Sequence, residues 1–395
     1  MRRFWIGMTA LLVSTIGVQA DDWKTWRGPT GDGISQETGW NPKAVGKLKI
    51  KWQKSLGNGY SAVSVADGKV YTMGNTNDQD TIFCLDARNG TELWKYTYAC
   101  KAGKFKGPRS TPVLKGERVY SLSRGGDAVC VDAKTGKLVW MTNIMELGAE
   151  QLRWGLSSSA LFYKEMVLFC GGKAGIALDA LSGKKVWGAK GIGNYAVPRI
   201  MSHKGKDLAL IWGADHIYGV DPVTGRELWK YEWKTKYDIN AVDAIPVDGK
   251  VLISSGYDHG SAMLDISSGK PKKLWENKNL KAHFSTPIYL DGHLYGFDGN
   301  AGKGKEFACL EAKTGAIKWQ AKLGFGSMTA ADNKLIILTE KGKLIVAAAV
   351  SSGYQEIAAV QTALKKPCWT QPVLSNGVIY CRDGKGTLLA IDVAK

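Results

Sequence analysis

A nine-residue phrase that ends in tryptophan recurs six times along this 395-residue chain. Five copies carry an acidic residue, a glycine four positions later and a tryptophan eight positions later; the copy that begins at Asp265 has two extra residues before its tryptophan. The tryptophans are Trp94, Trp140, Trp187, Trp229, Trp275 and Trp319. They are separated by 46, 47, 42, 46 and 44 residues. A period of this length is typical of a repeat architecture.

Each phrase predicts a β-hairpin corner followed by a strand. Apolar, β-prone residues precede the acidic residue, whose carboxylate can accept hydrogen bonds from the turn, and glycine supplies the positive φ of a tight loop. The tryptophan on the next strand is large enough to fill the wedge between neighbouring sheets while its N–H finds a partner. Two further strand signals precede each corner, for example residues 109–112 and 115–120. Four strands per repeat predict a propeller blade.

The blade count follows from the repeats and the two ends of the propeller sequence. Six phrases mark six blades, and a degenerate seventh lies at residues 349–353, with Ile357 where tryptophan would fall. The sequence then ends on a third strand, whereas the strand around Trp52 has no partner before it. We therefore predict an all-β, eight-bladed β-propeller of four-stranded antiparallel blades over residues 47–395, closed by pairing of the two ends, which leaves no long free edge at the seam. Seven blades is the alternative, because the seventh phrase is weak.

The first 20 residues have the pattern of a cleavable signal peptide. A basic start, Met1 to Arg3, is followed by 15 apolar residues from Phe4 to Val18 and by small residues up to Ala20. Fifteen residues are fewer than the ~20 that span a bilayer. We expect residues 1–20 to be removed, residues 21–46 to form a leader, and the protein to be periplasmic or secreted with no transmembrane segment in the mature chain. A retained membrane anchor is the alternative. No cysteine follows the site, so a lipoprotein is not expected.

The sequence predicts neither a catalytic residue nor a metal site. There is no Cys-x-x-Cys, paired-histidine metal motif, G-x-S-x-G elbow or phosphate-binding loop. Three of the seven cysteines, Cys84, Cys130 and Cys309, lie two residues before a corner acid, and we expect them to be buried packing residues. The run of residues 75–80 alternates oxygen-bearing side chains but lacks the glycine and final glutamate of a calcium loop, so a solvated hairpin tip is expected.

The chain is strongly basic, with 53 Lys and Arg against 36 Asp and Glu and a net charge of +17. Such a charge favours an acidic surface or an acidic partner protein. The lysines are dispersed, so a solvated rim is the alternative explanation. Nucleic acid is not an expected partner, because no single basic stripe is visible.

The first strand of each blade lines the channel of a propeller, so a candidate ligand site can be read around the predicted ring. Its members are Tyr60, Arg109, Ser110, Ser159, Tyr195, Asn240, Asp243, His283, Ser327 and Trp369. A few convergent polar groups and several aromatic rings could bind a small anionic or planar ligand. Ordered water in a narrow channel is the alternative. Asp243 and His283 could form an acid–base pair across adjacent blades. The seven tryptophans Trp52, Trp94, Trp140, Trp187, Trp229, Trp275 and Trp319 are predicted to be structural.

The repeated pattern Asp-Ala-x-Thr-Gly-x-x-x-Trp resembles the tryptophan-docking repeats of the pyrroloquinoline-quinone (PQQ)-like β-propellers. That superfamily includes quinoprotein alcohol dehydrogenases and the BamB-like propeller of the outer-membrane β-barrel assembly machinery. The segments 22–33 and 107–112 resemble parts of exported PQQ-like repeat proteins. The dehydrogenases stack their quinone on a disulfide of adjacent cysteines and hold calcium with an acidic cluster. This sequence has no adjacent cysteine pair and no visible cluster of that type.

Three functions remain open at this point. The resemblance favours an exported, non-enzymatic scaffold that binds an envelope protein partner, with outer-membrane protein assembly as the process it implies. We expect this scaffold to be monomeric and to need no cofactor. The first alternative is a small-ligand or quinone-binding propeller with dehydrogenase-like redox activity, using PQQ with calcium. The second alternative is a protein that binds anionic glycans through a basic face.

Overall fold

The computed structural model describes residues 22–304 and 306–394, and its strands form eight sheets. The predicted signal peptide, residues 1–20, lies outside the described residues. Each sheet contains four consecutive antiparallel strands, apart from one strand exchanged at the seam and one short strand added to the seventh sheet. The prediction of an all-β, eight-bladed propeller is confirmed. In the described part of the chain, no helix is both long and apolar enough to cross a bilayer.

The strands are numbered in chain order, and each blade is given from its first to its last strand. The segment before the first blade contains β1 (Ile34–Ser35), a 3₁₀ helix (Pro42–Lys47) and β2 (Ile50–Ser55). Blades 1 and 2 contain β3 (Ser64–Ala66), β4 (Lys69–Thr76), β5 (Gln79–Asp86) and β6 (Glu92–Ala99), then β7 (Val113–Lys115), β8 (Arg118–Leu122), β9 (Asp127–Asp132) and β10 (Leu138–Asn143). Blades 3 and 4 contain β11 (Leu161–Tyr163), β12 (Met166–Phe169), β13 (Ile176–Asp179) and β14 (Lys185–Gly188), then β15 (Arg199–His203), β16 (Lys206–Trp212), β17 (His216–Val220) and β18 (Glu227–Glu232).

The second half of the ring repeats this arrangement. Blades 5 and 6 contain β19 (Ile245–Val247), β20 (Lys250–Ser255), β21 (Gly260–Asp265) and β22 (Lys272–Asn277), then β23 (Ile288–Leu290), β24 (His293–Asp298), β25 (Glu306–Glu311) and β26 (Ile317–Ala321). Blades 7 and 8 contain β27 (Gly326–Ala331), β28 (Lys334–Thr339), β29 (Lys343–Ala348) and β30 (Glu356–Gln361), then β31 (Val373–Ser375), β32 (Val378–Arg382) and β33 (Thr387–Asp392). First strands of neighbouring blades contact each other, as β3 and β7 do, so they are innermost.

The outermost strand of blade 8 comes from the other end of the propeller sequence. Strand β2 pairs antiparallel with β33, with Trp52 opposite Ala390 and Ser55 opposite Thr387. The same sheet continues inward through β32 to β31. Blade 8 is therefore assembled from both ends of the described chain.

The tryptophan of each repeat lies against the corner of the next blade. The Trp94 indole donates to the carbonyl of Ala133 at 3.0 Å, directly after the corner Asp132. Corresponding bonds are made by Trp52, Trp140, Trp187, Trp275 and Trp319. The corner glycine lies under the indole: a Cβ on Gly136 would come within 2.6 Å of the Trp94 ring. At six of the eight junctions, one blade is thus joined to the next by burial and by one indole hydrogen bond.

Two repeats depart from this pattern. In blade 7, Ala358 pairs with Val346 in the register that elsewhere belongs to tryptophan, so the tryptophan position is Ala358 and not Ile357. The corner after Trp229 contains Gly269, and a Cβ there would meet no atom within 4 Å. That corner is the one with two extra residues before Trp275, which changes its path.

The core consists of apolar layers between consecutive blades. One layer joins blades 1 and 2 through Cys84, Trp94 and Val129, and corresponding layers follow around the ring to blade 8. All seven cysteines are buried and none is in a disulfide, which confirms the packing role predicted for Cys84, Cys130 and Cys309. The hairpin of residues 75–80 is only partly solvated: residues 76–79 are exposed, whereas Asn75 and Asp80 are buried.

The leader crosses one end of the ring and contacts most blades. Trp23 forms a two-bond bridge to Val65 of blade 1, and the Lys24 carbonyl accepts a hydrogen bond from Leu114 of blade 2. On the far side, the Gly33 carbonyl accepts from Ala330 of blade 7. Further contacts reach Arg199 of blade 4 through Thr30, Thr286 before blade 6 through Arg27, and Asn376 of blade 8 through Glu37. The leader therefore covers the end of the ring that carries the turns between first and second strands.

Candidate binding cavity

A cavity of about 810 Å³ lies inside the ring, and the inner side of the leader faces it. All eight blades or the loops that precede them contribute to its lining, and Trp26 of the leader forms part of its floor. The lining loops connect the outer strand of one blade to the inner strand of the next, or the second strand to the third. The cavity therefore belongs to the loop face opposite the leader.

Seven of the ten side chains predicted to line the channel do line this cavity: Tyr60, Arg109, Ser159, Tyr195, Asp243, His283 and Trp369. The other three do not. Ser110 accepts a hydrogen bond from the Leu122 amide, and Asn240 bonds to Ser255 within the wall. Ser327 donates to the carbonyl of Trp369 at 2.9 Å. Neighbouring residues of an extended segment point to opposite sides, so Arg109 and Ser110 could not both face the same space.

Several lining side chains were not predicted from the repeat pattern: Trp26, Phe105, Trp154, Tyr257, Phe284, Glu340 and Lys366. Most of them lie on loops between blades. For the five aromatic members, the sequence signal is an aromatic residue in a segment that otherwise resembles a polar connection; Glu340 and Lys366 have no such signal. Trp26 belongs to the leader motif, whose position depends on contacts with distant blades.

A buried ionic cluster holds the floor of the cavity. Asp243 accepts hydrogen bonds from the Trp26 indole at 2.7 Å and from the Val197 amide at 2.8 Å. Burial raises the pKa of Asp243, and the nearby Arg27 and Arg199 oppose that rise. Burial lowers the pKa of Arg27 to about 10, so this guanidinium remains charged at neutral pH. The cluster therefore fastens the leader to the ring.

Asp243 and His283 both line the cavity, but each is bonded to other groups. The Ala301 amide donates to His283 Nδ1 at 3.3 Å, and Nε2 lies 3.2 Å from the Tyr257 hydroxyl. Burial lowers the pKa of His283 to about 4, so the ring is neutral at neutral pH. Because Nδ1 accepts, Nε2 carries the proton and donates to Tyr257. The geometry does not support the acid–base pair of Asp243 and His283.

Aromatic side chains form a continuous wall on one side of the cavity. Trp369 stacks on Tyr60 with ring centroids 4.9 Å apart and an interplanar angle of 27°. The rings of Phe284 and Phe105 lie 5.3 and 5.5 Å from Trp369. The Trp369 indole donates to Glu340 at 2.7 Å, and the same carboxylate is 3.2 Å from the Lys366 ammonium. These bonds hold the wall in place.

Arg109 differs from the other charged lining residues because it has no acidic partner among the described residues. Its Nη2 donates to the Phe105 carbonyl at 3.2 Å, and its guanidinium lies 5.9 Å from the Tyr60 ring centre. Its Nη1 is buried and makes no hydrogen bond to any described residue. Burial lowers the pKa of Arg109 to about 10, which still leaves it charged at neutral pH.

The cavity residues do not fit a calcium-held quinone of the dehydrogenase kind. Calcium takes six to eight oxygen ligands, whereas the lining holds two carboxylates, Asp243 and Glu340, each already bonded to an indole. Over residues 22–304 and 306–394, no three His, Cys, Asp or Glu side chains converge as a metal site would require. No two cysteines are adjacent in the sequence.

A second candidate surface, here called the outer belt, follows the outermost strands of blades 1 to 5. Every outer strand has a β-bulge at the residue before the tryptophan position, and that residue does not pair with the neighbouring strand. In five consecutive blades it is apolar and 42–48% exposed: Leu93, Val139, Val186, Leu228 and Leu274. Blades 6 and 8 carry the exposed lysines Lys318 and Lys51 at the same position.

The chain is similar to known proteins in sequence and in fold. The family model described as outer membrane protein assembly factor BamB matches residues 37–187, 78–321 and 303–395. A protein of that description from Burkholderia pseudomallei is 22% identical over 257 residues, which are 62% of this chain and 63% of the relative. A 1-butanol dehydrogenase (cytochrome c) from Thauera butanivorans is 29% identical over 158 residues. That match covers 37% of this chain and 22% of the enzyme, so the chain spans less than two thirds of either relative.

Among solved structures, BamB from Moraxella catarrhalis has a similar fold. The superposition has a TM-score of 0.65 at 16% sequence identity. It covers 87% of this chain and 97% of the other. At that identity the likeness concerns the fold alone.

Proposed function

Because this chain belongs to the family described as outer membrane protein assembly factor BamB, we propose that it is an exported, non-enzymatic scaffold for protein assembly in the outer membrane or cell envelope. The observation that carries the proposal is the extent of the family match, which runs from residue 37 to residue 395. The partner in this proposal is an envelope protein. The periplasmic or secreted location and a monomeric state are parts of the same proposal.

The outer belt is the surface on which we place that partner. The fourth strand of each blade pairs with its third strand and has no other strand on its far side in the described part of the ring. A free strand edge can accept an added strand from a partner. Lysines at an edge oppose such pairing, and blades 6 and 8 carry them at the bulge. Blades 1 to 5 instead expose an apolar side chain there, which a partner could bury.

Site-specific photo-cross-linking tests this placement. A photoreactive residue would replace Val139, and the matched control would carry it at Lys318, the equivalent bulge of blade 6. We expect an adduct in envelope preparations from position 139 that mass spectrometry identifies as an outer-membrane protein or a component of its assembly. The control should give little or none. No such adduct, or equal adducts at both positions, would contradict the proposal.

A quinone-dependent dehydrogenase is the second candidate, and the match to the Thauera butanivorans enzyme favours it. The two carboxylates of the cavity lining do not supply the six to eight oxygen ligands that calcium takes. The test is to incubate the purified protein with PQQ and calcium. A stoichiometric bound chromophore with dye-linked alcohol oxidation would favour this function over the scaffold, whereas a spectrum equal to the sum of the separate components would exclude PQQ binding under those conditions.

A further inference from the structure

We propose that the central cavity binds a small ring-bearing carboxylate, with its ring against the aromatic wall and its carboxylate paired with Arg109. This ligand site is separate from the outer belt and goes beyond the scaffold function. The proposal rests on the size of the cavity, the chemistry of its wall, its unpaired charge and the direction of its hydrogen bonds.

The size and wall of the cavity suit a small organic molecule. A volume of about 810 Å³ lies within the ~300–1,000 Å³ typical of small-molecule sites. Eight of the lining side chains are Trp, Tyr or Phe. Such rings stack or meet edge to face with another ring more favourably than with an extended polar chain. A ligand with at least one planar ring therefore fits the wall.

The charge of the lining favours a ligand with a negative group. Lys366 pairs with Glu340, and Asp243 is held by Trp26 and lies near the arginines of the floor. Because His283 is neutral at neutral pH, Arg109 is the one cation of the described lining that lacks an acidic partner. A buried charge without a partner is costly, and a carboxylate can accept bonds from a guanidinium in a fixed geometry.

The phenol groups of the lining are oriented to donate. Tyr195 accepts a bond from the Trp154 amide at 3.4 Å, and Tyr257 accepts from His283, so each keeps its own O–H for another acceptor. Burial raises the pKa of both hydroxyls, which keeps them protonated at neutral pH. With Arg109, these groups present donors to the cavity. Carboxylate oxygens are acceptors only, which matches that arrangement.

The mouth of the cavity is also basic. Arg153 and Lys104 lie 5.0 and 5.7 Å from the ring centre of Trp154, which lines the cavity. Both cations are exposed and make no ion pair with a described carboxylate within 4 Å. Cations around an opening increase the rate at which an anion enters. The rim thus favours the same ligand charge as Arg109.

The test is isothermal titration of the purified protein at pH 7.5 in EDTA. The probes are benzoate, 2-naphthoate and indole-3-acetate, each paired with its primary amide, which keeps the ring and removes the charge. We expect at least one acid to bind with a dissociation constant below about 1 mM and its amide to bind roughly tenfold more weakly or not at all.

Two cavity variants and one rim variant identify the residues responsible. Arg109→Gln should weaken binding of that acid roughly 10- to 100-fold. Tyr195→Phe keeps the ring, removes one donor and should weaken binding roughly two- to tenfold. Arg153→Gln, at the exposed rim, should change the affinity less than about twofold at 0.15 M salt. Thermal unfolding of each variant shows whether it is folded.

Three results would overturn the proposal. The first is the absence of saturable binding by all three acids up to about 1 mM. The second is equal affinity for acid and amide. The third is unchanged binding by both folded cavity variants, Arg109→Gln and Tyr195→Phe. None of these results bears on cross-linking at the outer belt, so the scaffold function is tested independently.

Discussion

Asp80 and Asn75 are paired at the base of the first-blade hairpin. The Asn75 amide donates to Asp80 Oδ1 at 2.7 Å, whereas Asp80 Oδ2 is buried and has no hydrogen-bond partner among the described residues. Burial raises the pKa of this carboxyl group to about 6 from an ordinary value of 3.8. An ionised carboxylate with an unsatisfied oxygen is costly inside a protein. At neutral pH, Asp80 therefore lowers the stability of the fold.

The pH dependence of stability tests this account of Asp80. Between pH 4 and pH 6 the folded state holds a proton on Asp80 that the unfolded state has released, so the contribution of Asp80 to stability falls as pH rises through this range and then stays constant. Asp80→Asn should therefore be more stable than the wild-type protein by about 1–3 kcal/mol at pH 7.5. The difference should shrink towards pH 4. Denaturant titrations at pH 4, 6 and 7.5 measure it, and a pH-independent difference would contradict the assignment.

At the scale of the element, the unit of stability is the contact between an outer-strand tryptophan and the next corner. Gly136 has a φ of 71°, and the Trp94 ring occupies the space where a Cβ would project. Gly269 has a similar φ of 80° but faces open space. Both glycines permit a left-handed turn, but only Gly136 also permits a close approach of the indole. Comparison of Gly136 with Gly269 therefore separates the effect of the left-handed backbone from the effect of the close indole contact.

Alanine substitution at the two corners should have unequal effects. Gly269→Ala should lower the free energy of unfolding by about 1 kcal/mol, because the only penalty is that alanine must adopt a left-handed backbone conformation. Gly136→Ala should lower the free energy of unfolding by about 2–4 kcal/mol, because the new methyl group also displaces the Trp94 ring. Denaturant unfolding of the two variants beside the wild-type protein gives the comparison. Equal losses would mean that the indole contact does not depend on the absence of a Cβ.

At the scale of the whole molecule, two segments connect parts of the ring that are distant in sequence. Strand β2 (Ile50–Ser55) supplies the outer strand of blade 8 by pairing with β33. The leader spans one end of the ring, from Trp23 on blade 1 to Glu37 on blade 8. Both segments join the first blades to the last, so the ring depends on contacts of high sequence separation.

Removal of β2 should weaken the whole ring. Deletion of residues 50–55 removes Trp52 from the corner of blade 1 and leaves β33 as an unpaired edge. We expect a loss of at least about 3–5 kcal/mol, which is the cost of deleting one large buried aromatic side chain, together with concentration-dependent aggregation from the exposed edge. The control Lys51→Ala changes an exposed residue of the same strand. Thermal unfolding and light scattering measure both effects, and a deletion variant that unfolds like the control would contradict this role.

The fold class, the number of blades and seven of the ten candidate cavity residues could be predicted from local sequence patterns. The prediction that those seven lie on the first strands was wrong, because they lie in the segments just before them. The apolar strand pattern and the corner with its tryptophan are local features that recur at a nearly constant spacing. Six clear copies therefore predict where the strands of the weaker repeats lie. The register of blade 7 was missed by one residue, at Ile357 and Ala358, because that repeat has no tryptophan to mark its bulge.

Which groups share the cavity, and which of them are already bonded, depends on tertiary contacts that no local pattern predicts. Ser110, Asn240 and Ser327 lie on the predicted segments, but their side chains form hydrogen bonds within the wall. Successive side chains of an extended segment point to opposite sides, so an error of one residue in the predicted register reverses the direction of the side chain. Trp26 reaches the cavity from the leader, and Glu340 reaches it from the loop between the second and third strands of blade 7. Their positions depend on hydrogen bonds to residues far away in the sequence, such as Trp26 to Asp243, and no local pattern encodes those partners.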